Sequence, residues 1–306
     1  MSTQLEPVAA EGLPRTYDPA APLTPTGNLR RRQVFSRGAE YLATGAAVAA
    51  IAVLVVVIYS VAARGAGSIN LDFITKSAPV GVAPALVGSA IIVAIGTLIA
   101  TPIGILIALF LTEYAGGRTA AFVSLTMDVM NGLPAIIVGL FIFTLLVSVK
   151  GLGLGQSACA AGIALSIIML PLIARGTQGV LRLIPKNQSE AADALGVARW
   201  RTVLTVILPS ALGGILTVTI LSIARAAGET APVLLVSSIG SIEHVSLNPF
   251  EALANGPVRI YTLSEEANPA GFGEAWGLSL LLISFILFAS LGARALLARS
   301  KRKASS

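Results

Sequence analysis

Six stretches of this chain contain no Asp, Glu, Lys or Arg: residues 41–63, 77–112, 129–149, 151–174, 202–224 and 275–293. Each is close to or longer than the ~20 residues that a helix needs to cross a hydrocarbon core of about 30 Å. In lipid the backbone has to satisfy its own hydrogen bonds, so runs of this kind are helices. They are far too long for strands and lack the ten-residue alternation of a membrane barrel. The expected fold is therefore an all-α integral membrane protein with six transmembrane helices, at about 40–63, 84–112, 121–149, 156–175, 202–228 and 274–297. Composition agrees: 12% of residues are charged, against about 25% in an average soluble domain.

The charges that remain are unevenly shared between the two sides such a fold defines. One side collects Arg30, Arg31, Arg32 and Arg37, then Arg118, then five basic residues in the stretch 175–201 and five more in 294–303, fifteen in all. The other side has four: Arg64, Lys76, Lys150 and Arg259. The positive-inside rule places both termini in the cytoplasm of a cell-membrane protein. The net charge of +6 is accordingly a topology signal, with a second role at anionic lipid head groups, and does not point to nucleic acid. Tyr41, Tyr114 and Trp200 at one set of span ends, and Tyr59 and Trp276 at the other, suit the membrane interface.

Little here points to metal, redox or catalytic chemistry. The single cysteine, Cys159, sits in an apolar run, and the single histidine, His244, falls in a polar loop without ligand-spaced neighbours. The Gly151–Gly155 stretch lacks the Lys-Ser/Thr of a nucleotide loop, and the chain contains no GxxxxGK[ST]. No catalytic residue, metal site or cofactor is expected. Residues 1–37, polar with five prolines, read as a disordered cytoplasmic tail rather than a cleaved signal. A membrane domain over 38–300 follows, and a basic tail over 301–306. Gly96, Ala100 and Gly104 form a small-residue stripe that admits close approach of a helix, from this chain or from another subunit.

The loop at about 176–201 holds a short helix. Pro185 suits its first turn, Glu190-Ala191-Ala192-Asp193-Ala194-Leu195 is helix-forming, and Gly196 can take the left-handed conformation that ends it. Pro209 is expected to kink the span that follows. An isolated amphipathic helix on the membrane surface suits insertion into a groove of a soluble partner, or simply lies there. Glu190-Ala191-Ala192, Gly196 and the later Ile207-Leu208-Pro209 resemble, in residue and spacing, the EAA loop of ABC importer permeases. The resemblance implies a MetI-like architecture in which Glu190, Ala191, Ala192 and Gly196 form the coupling helix that docks on a separate ATPase subunit.

Arg225 and Glu229 stand at the end of the fifth span, in the segment Arg225-Ala226-Ala227-Gly228-Glu229-Thr230-Ala231-Pro232. Four residues apart, they can pair on one helix face. A charge at the centre of a bilayer costs roughly 2.5–3.5 kcal/mol on insertion scales, so charges retained there call for a functional or a structural reason. The segment resembles RAxGETAP of phosphate-specific permeases, of the PstA type rather than its PstC partner. The stretch 131–141, Asn-Gly-Leu-Pro-Ala-Ile-Ile-Val-Gly-Leu-Phe, is similar to the same family's AGxPSIVxGLF, departing at Asn131 and Ala135.

That resemblance, which runs from about 40 to 297, implies a permease subunit of an ATP-driven importer of inorganic phosphate. Arg225, Glu229 and Thr230 would lie on the substrate path. The implied partners are a second permease (PstC type), an ATPase dimer (PstB type), a phosphate-binding protein outside the membrane (PstS type) and the lipid bilayer. Alternatives are the same architecture carrying molybdate or sulfate, and an ion-coupled secondary transporter, although the inverted repeats usual in the latter are not apparent.

Overall fold

The structure is a computed structural model that describes residues 29–304 apart from 149, 239, 267 and 268. Its helices are α1 (Leu29–Gly65), α2 (Leu71–Thr75), α3 (Ala83–Leu109), α4 (Gly117–Gly132), α5 (Ala135–Ile142), α6 (Ala158–Leu181), α7 (Lys186–Ala194), α8 (Arg199–Thr202), α9 (Leu208–Ala226), α10 (Ala231–Val236), α11 (Gly256–Glu265) and α12 (Pro269–Ala304). Two compact units divide at Val56, inside α1. The tail expected over 1–37 lies outside the described residues as far as 28. From Leu29 the chain is helical, with Arg30, Arg31 and Arg32 in the first turn of α1.

Among the described residues, five stretches are long and apolar enough to span a bilayer: Arg31–Ser68, Ala83–Tyr114, Ala158–Leu181, Arg199–Ala226 and Gly271–Ala295. The sixth crossing, drawn from sequence as one helix over 121–149, is a bent pair, Gly117–Gly132 with Ala135–Val147 at 98°. The break has a local cause. Pro134 drives the preceding residue out of the helical region, and Leu133 adopts φ −69°, ψ 132°.

That the bent pair crosses the membrane follows from how its neighbours pack. A Cβ on Gly96 of α3 would meet Gly162 O and Leu165 of α6 at 3.2 Å, and one on Gly104 would meet Ile173 at 2.9 Å. Contacts advance in the same direction along both helices, so α3 and α6 are parallel. A chain that leaves the end of α3 and re-enters at the start of α6 has to return through the bilayer in between. The same contacts assign the small-residue stripe: Gly96 and Gly104 serve packing within this chain. Without a hydrophobic drive between helices in lipid, such close approach is what lets van der Waals contact hold them.

At the end of the second unit marked by Trp200, Ala108 and Leu109 of α3, Leu181 of α6 and Val203, Ile207 and Ala211 form one buried cluster. At the opposite end, residues 249–256 lie over the starts of α3 and α6. Ala158 N–H donates to Glu251 O and Cys159 N–H to Pro249 O, both at 2.8 Å, and Gly256 N–H donates to Ser89 Oγ at 2.8 Å. Donors at the starts of α6 and α11 are thereby satisfied by the chain itself. Pro209 stands in the first turn of α9, directly after an irregular turn. The missing N–H is absorbed by a π-helical turn over Val203–Ile207, and Arg199–Ala226 continues as one crossing.

Candidate functional site

Two regions carry the residues singled out in the sequence. The first is the end of α9. The last α-helical bond of α9 runs from Ala227 N–H to Ile223 O at 2.9 Å, after which Gly228 N–H donates to Arg225 O at 3.0 Å and Glu229 N–H to Ala226 O at 3.1 Å. Arg225 and Glu229 come together across this turn rather than on one helix face. Arg225 Nε stands 3.7 Å from Glu229 Oε1, too long for a hydrogen bond. The Arg225 side chain is 64% exposed on the surface of this chain. Thr230 precedes α10 and is half-buried, and Pro232 in the first turn of α10 is buried.

The structure sets this turn against the second motif segment. A Cβ on Gly139 of α5 would lie 2.6 Å from Pro232 Cα and 3.0 Å from Pro232 O. Only glycine lets α5 and α10 approach this closely, so the stretch 131–141 and the Gly-Glu-Thr-Ala-Pro segment form one unit.

The second region is α7. Its C-terminus closes with two bonds, Val197 N–H to Ala192 O at 3.1 Å and Gly196 N–H to Asp193 O at 3.0 Å, with Gly196 at φ +69°. This is a Schellman ending, for which a left-handed residue is needed at Gly196. Pro185 sits one residue earlier than expected, as the N-cap. Glu190 and Ala191 are exposed and Ala192 is half-buried.

Ion pairs built on Arg175 and on Arg199 went unseen in the sequence. Arg175, placed at a loop start by its position after an uncharged run, lies inside α6, which continues to Leu181. Its Nε donates to Asp128 Oδ1 at 3.0 Å, its Nη2 to Ser124 O at 2.8 Å and its Nη1 to Gln178 Oε1 at 2.9 Å. Arg199 Nη2 donates to Glu113 Oε2 at 2.8 Å, while its Nη1 reaches Asp193 Oδ2 at 3.2 Å. The signal was present in one form: Asp128, Arg175 and Glu113 are each the first charge bounding an uncharged run.

Residues 100–303 match the family described as binding-protein-dependent transport system inner membrane component. The chain belongs to that family, and is a multi-pass membrane subunit of a transport system rather than an enzyme or an ion-coupled carrier. Among its relatives is the phosphate transport system permease protein PstA 1 of Mycobacterium tuberculosis (strain CDC 1551 / Oshkosh), 38% identical over 214 residues, covering 70% of this chain and 69% of the relative. The PstA of Xylella fastidiosa (strain Temecula1 / ATCC 700964) is 38% identical over 245 residues, 78% of this chain and 84% of the relative. Among solved structures, a chain of the bacterial alginate ABC transporter has a TM-score of 0.64 at 14% identity, with 88% of this chain and 98% of that chain covered. A chain of the inward-facing MetNI methionine ABC transporter gives 0.52 at 19%, with 71% and 94% covered. These two establish the fold, that of ABC transporter membrane subunits.

Proposed function

We propose that this chain is the PstA-type permease of an ATP-driven phosphate importer, and that Arg225, Glu229 and Thr230 line its substrate path. The observation that supports it most is the state of Arg225: a permanently charged group on a membrane helix, turned outward from its own chain, with its one nearby carboxylate among the described residues at 3.7 Å. Such a face is costly against lipid tails. It fits a wet path shared with a second, PstC-type permease, where a guanidinium fork offers paired donors to an oxyanion. Glu229 balances the charge while the path is empty. Relatives at 32–38% identity named phosphate transport permeases support phosphate as the oxyanion.

In this reading the basic end is cytoplasmic, with both termini, and α7 docks through Glu190, Ala191, Ala192 and the turn at Gly196 onto a PstB-type ATPase. A PstS-type phosphate-binding protein delivers to the opposite face. The test is uptake of radiolabelled phosphate by cells or vesicles that hold the complete complex, with unlabelled molybdate and sulfate as competitors. Phosphate is expected to be the ion carried, and loss of labelled uptake to equimolar molybdate or sulfate would assign the path to another oxyanion. Reporter fusions at residue 298 and at Leu247 are expected on opposite sides of the membrane.

A further inference from the structure

We infer that Arg199 is a positioning residue, a strut that fixes the coupling helix α7 to the membrane helices and transmits its displacement to them. The inference rests on the reading of α7 as the ATPase-docking element. It starts from what α7 lacks. None of its described side chains is buried, its covalent joints to the spans are the links 182–185 and 195–198, and its packing on them is slight. A helix held by its ends alone would pivot when pushed, and the motion would be lost in the links.

One guanidinium prevents this. Arg199 Nη1 donates to Ser189 Oγ at 3.3 Å and to Asp193 Oδ2 at 3.2 Å, one helical turn apart on α7. Its Nη2 donates to Glu113 Oε2 at 2.8 Å. Glu113 stands in the π-helical turn Phe110–Tyr114 that continues α3, and its side chain is only 12% exposed. The neighbouring Leu109 and Leu111 are buried, the former against Val203 and Ile207, so this carboxylate is anchored. A partly buried carboxylate that loses its cation is left uncompensated, which makes the node resistant to opening. The planar fork satisfies three acceptors at once, which an ammonium cannot do with the same geometry. Arg199 also begins the Arg199–Ala226 crossing. At 1.5 Å per residue, its far end with Arg225 lies about 40 Å away. A push on α7 therefore reaches both α3 and the span that carries the proposed anion site.

The experiment uses the complete transporter in proteoliposomes, with phosphate uptake and ATP hydrolysis measured together. Arg199→Gln and Glu113→Gln are each expected to keep ATP hydrolysis but lower phosphate carried per ATP roughly fivefold or more. The double substitution should fall no further, and Arg199→Lys should recover part. A defect of folding alone would lower both activities together and leave the ratio unchanged, and that result would overturn the proposal. A second measurement needs no substrate. Spin labels at Asn187→Cys and Tyr114→Cys, in a Cys159→Ala background, should give a narrow distance distribution that Arg199→Gln broadens. An unaltered distribution overturns the strut whatever uptake shows. If the distribution broadens while the unmodified transporter moves no phosphate, the strut stands and the substrate reading falls.

Discussion

Arg175 and Arg225 both lie on membrane helices with a carboxylate beside them, yet they are built in opposite ways. Arg175 is used up by its own chain: Asp128, Ser124 O and Gln178 take its donors at 2.8–3.0 Å, and they tie α4 to α6. Arg225 makes no hydrogen bond through its guanidinium among the described residues, and its carboxylate is 3.7 Å away. The first arrangement holds the bent pair α4–α5 in place. The second, under the proposed reading, leaves donors for an arriving anion. Sequence alone presents both as charges at the edge of an uncharged run and does not count their donors. The difference between a structural pair and a transport group lies in how many donors the fold itself consumes.

Substitutions should separate the two sharply. Arg225→Gln is expected to have the largest effect: losing charge-assisted bonds to an oxyanion removes about 3 kcal/mol or more, roughly a hundredfold in uptake rate, with the complex still assembled. Arg225→Lys should recover part of this, because charge stays while the fork is lost. Normal uptake by a well-assembled Arg225→Gln transporter would make both arginines structural. Gly139→Ala comes next. The added Cβ would stand 2.6 Å from Pro232 Cα, and relieving it should cost about 1–3 kcal/mol and move the segment that carries Glu229. Uptake per assembled complex should drop, whereas Gly132→Ala, which meets nothing within 4 Å, should behave as the parent.

Arg175→Gln should act on quantity rather than on rate. With side chains 31% and 64% exposed, the pair is worth only about 1 kcal/mol after screening. The melting temperature in detergent should fall modestly, while uptake per complex stays within about twofold of the parent. The apolar replacement Arg175→Met/Asp128→Leu should restore the melting temperature. Loss of uptake per complex in that double variant would place Arg175 on the path beside Arg225.

How much of this was legible follows from which forces act locally. The crossings were readable because lipid imposes its demand on every residue of a span, so composition alone reveals it. Gly196 was readable because a helix ending is a local event. The bend at Leu133 was missed although Pro134 was in view, since an apolar run carries no record of direction. The ion pairs were missed for a different reason. Arg175 and Asp128 are 47 positions apart, and Arg199 and Glu113 86. Treating the first charge as the end of a span moved Arg175 out of α6 and into a loop. The meeting of Gly139 with Pro232 was likewise invisible, although each lay in a motif recognised separately.

The smallest expected effect is the one that most finely divides the two pairs: the coupling energy within each, measured for stability by double-mutant cycles. For Arg175 and Asp128, the single changes Arg175→Gln and Asp128→Asn each break the same short contact, so the double change should cost little more than either. A coupling of about 1 kcal/mol is expected. For Arg225 and Glu229 the separation of 3.7 Å and the exposed guanidinium leave little to lose, and the coupling in stability should fall to a few tenths of a kcal/mol. Its sign is still informative. Arg225→Gln leaves Glu229, whose side chain is 22% exposed, without a cation, so Arg225→Gln/Glu229→Gln should assemble slightly better than Arg225→Gln alone. It should transport no better, because the oxyanion has lost its cation in both. A stability coupling at Arg225 and Glu229 as large as that at Arg175 and Asp128 would mean that the fold consumes Arg225 after all, and the contrast between the two sites would collapse.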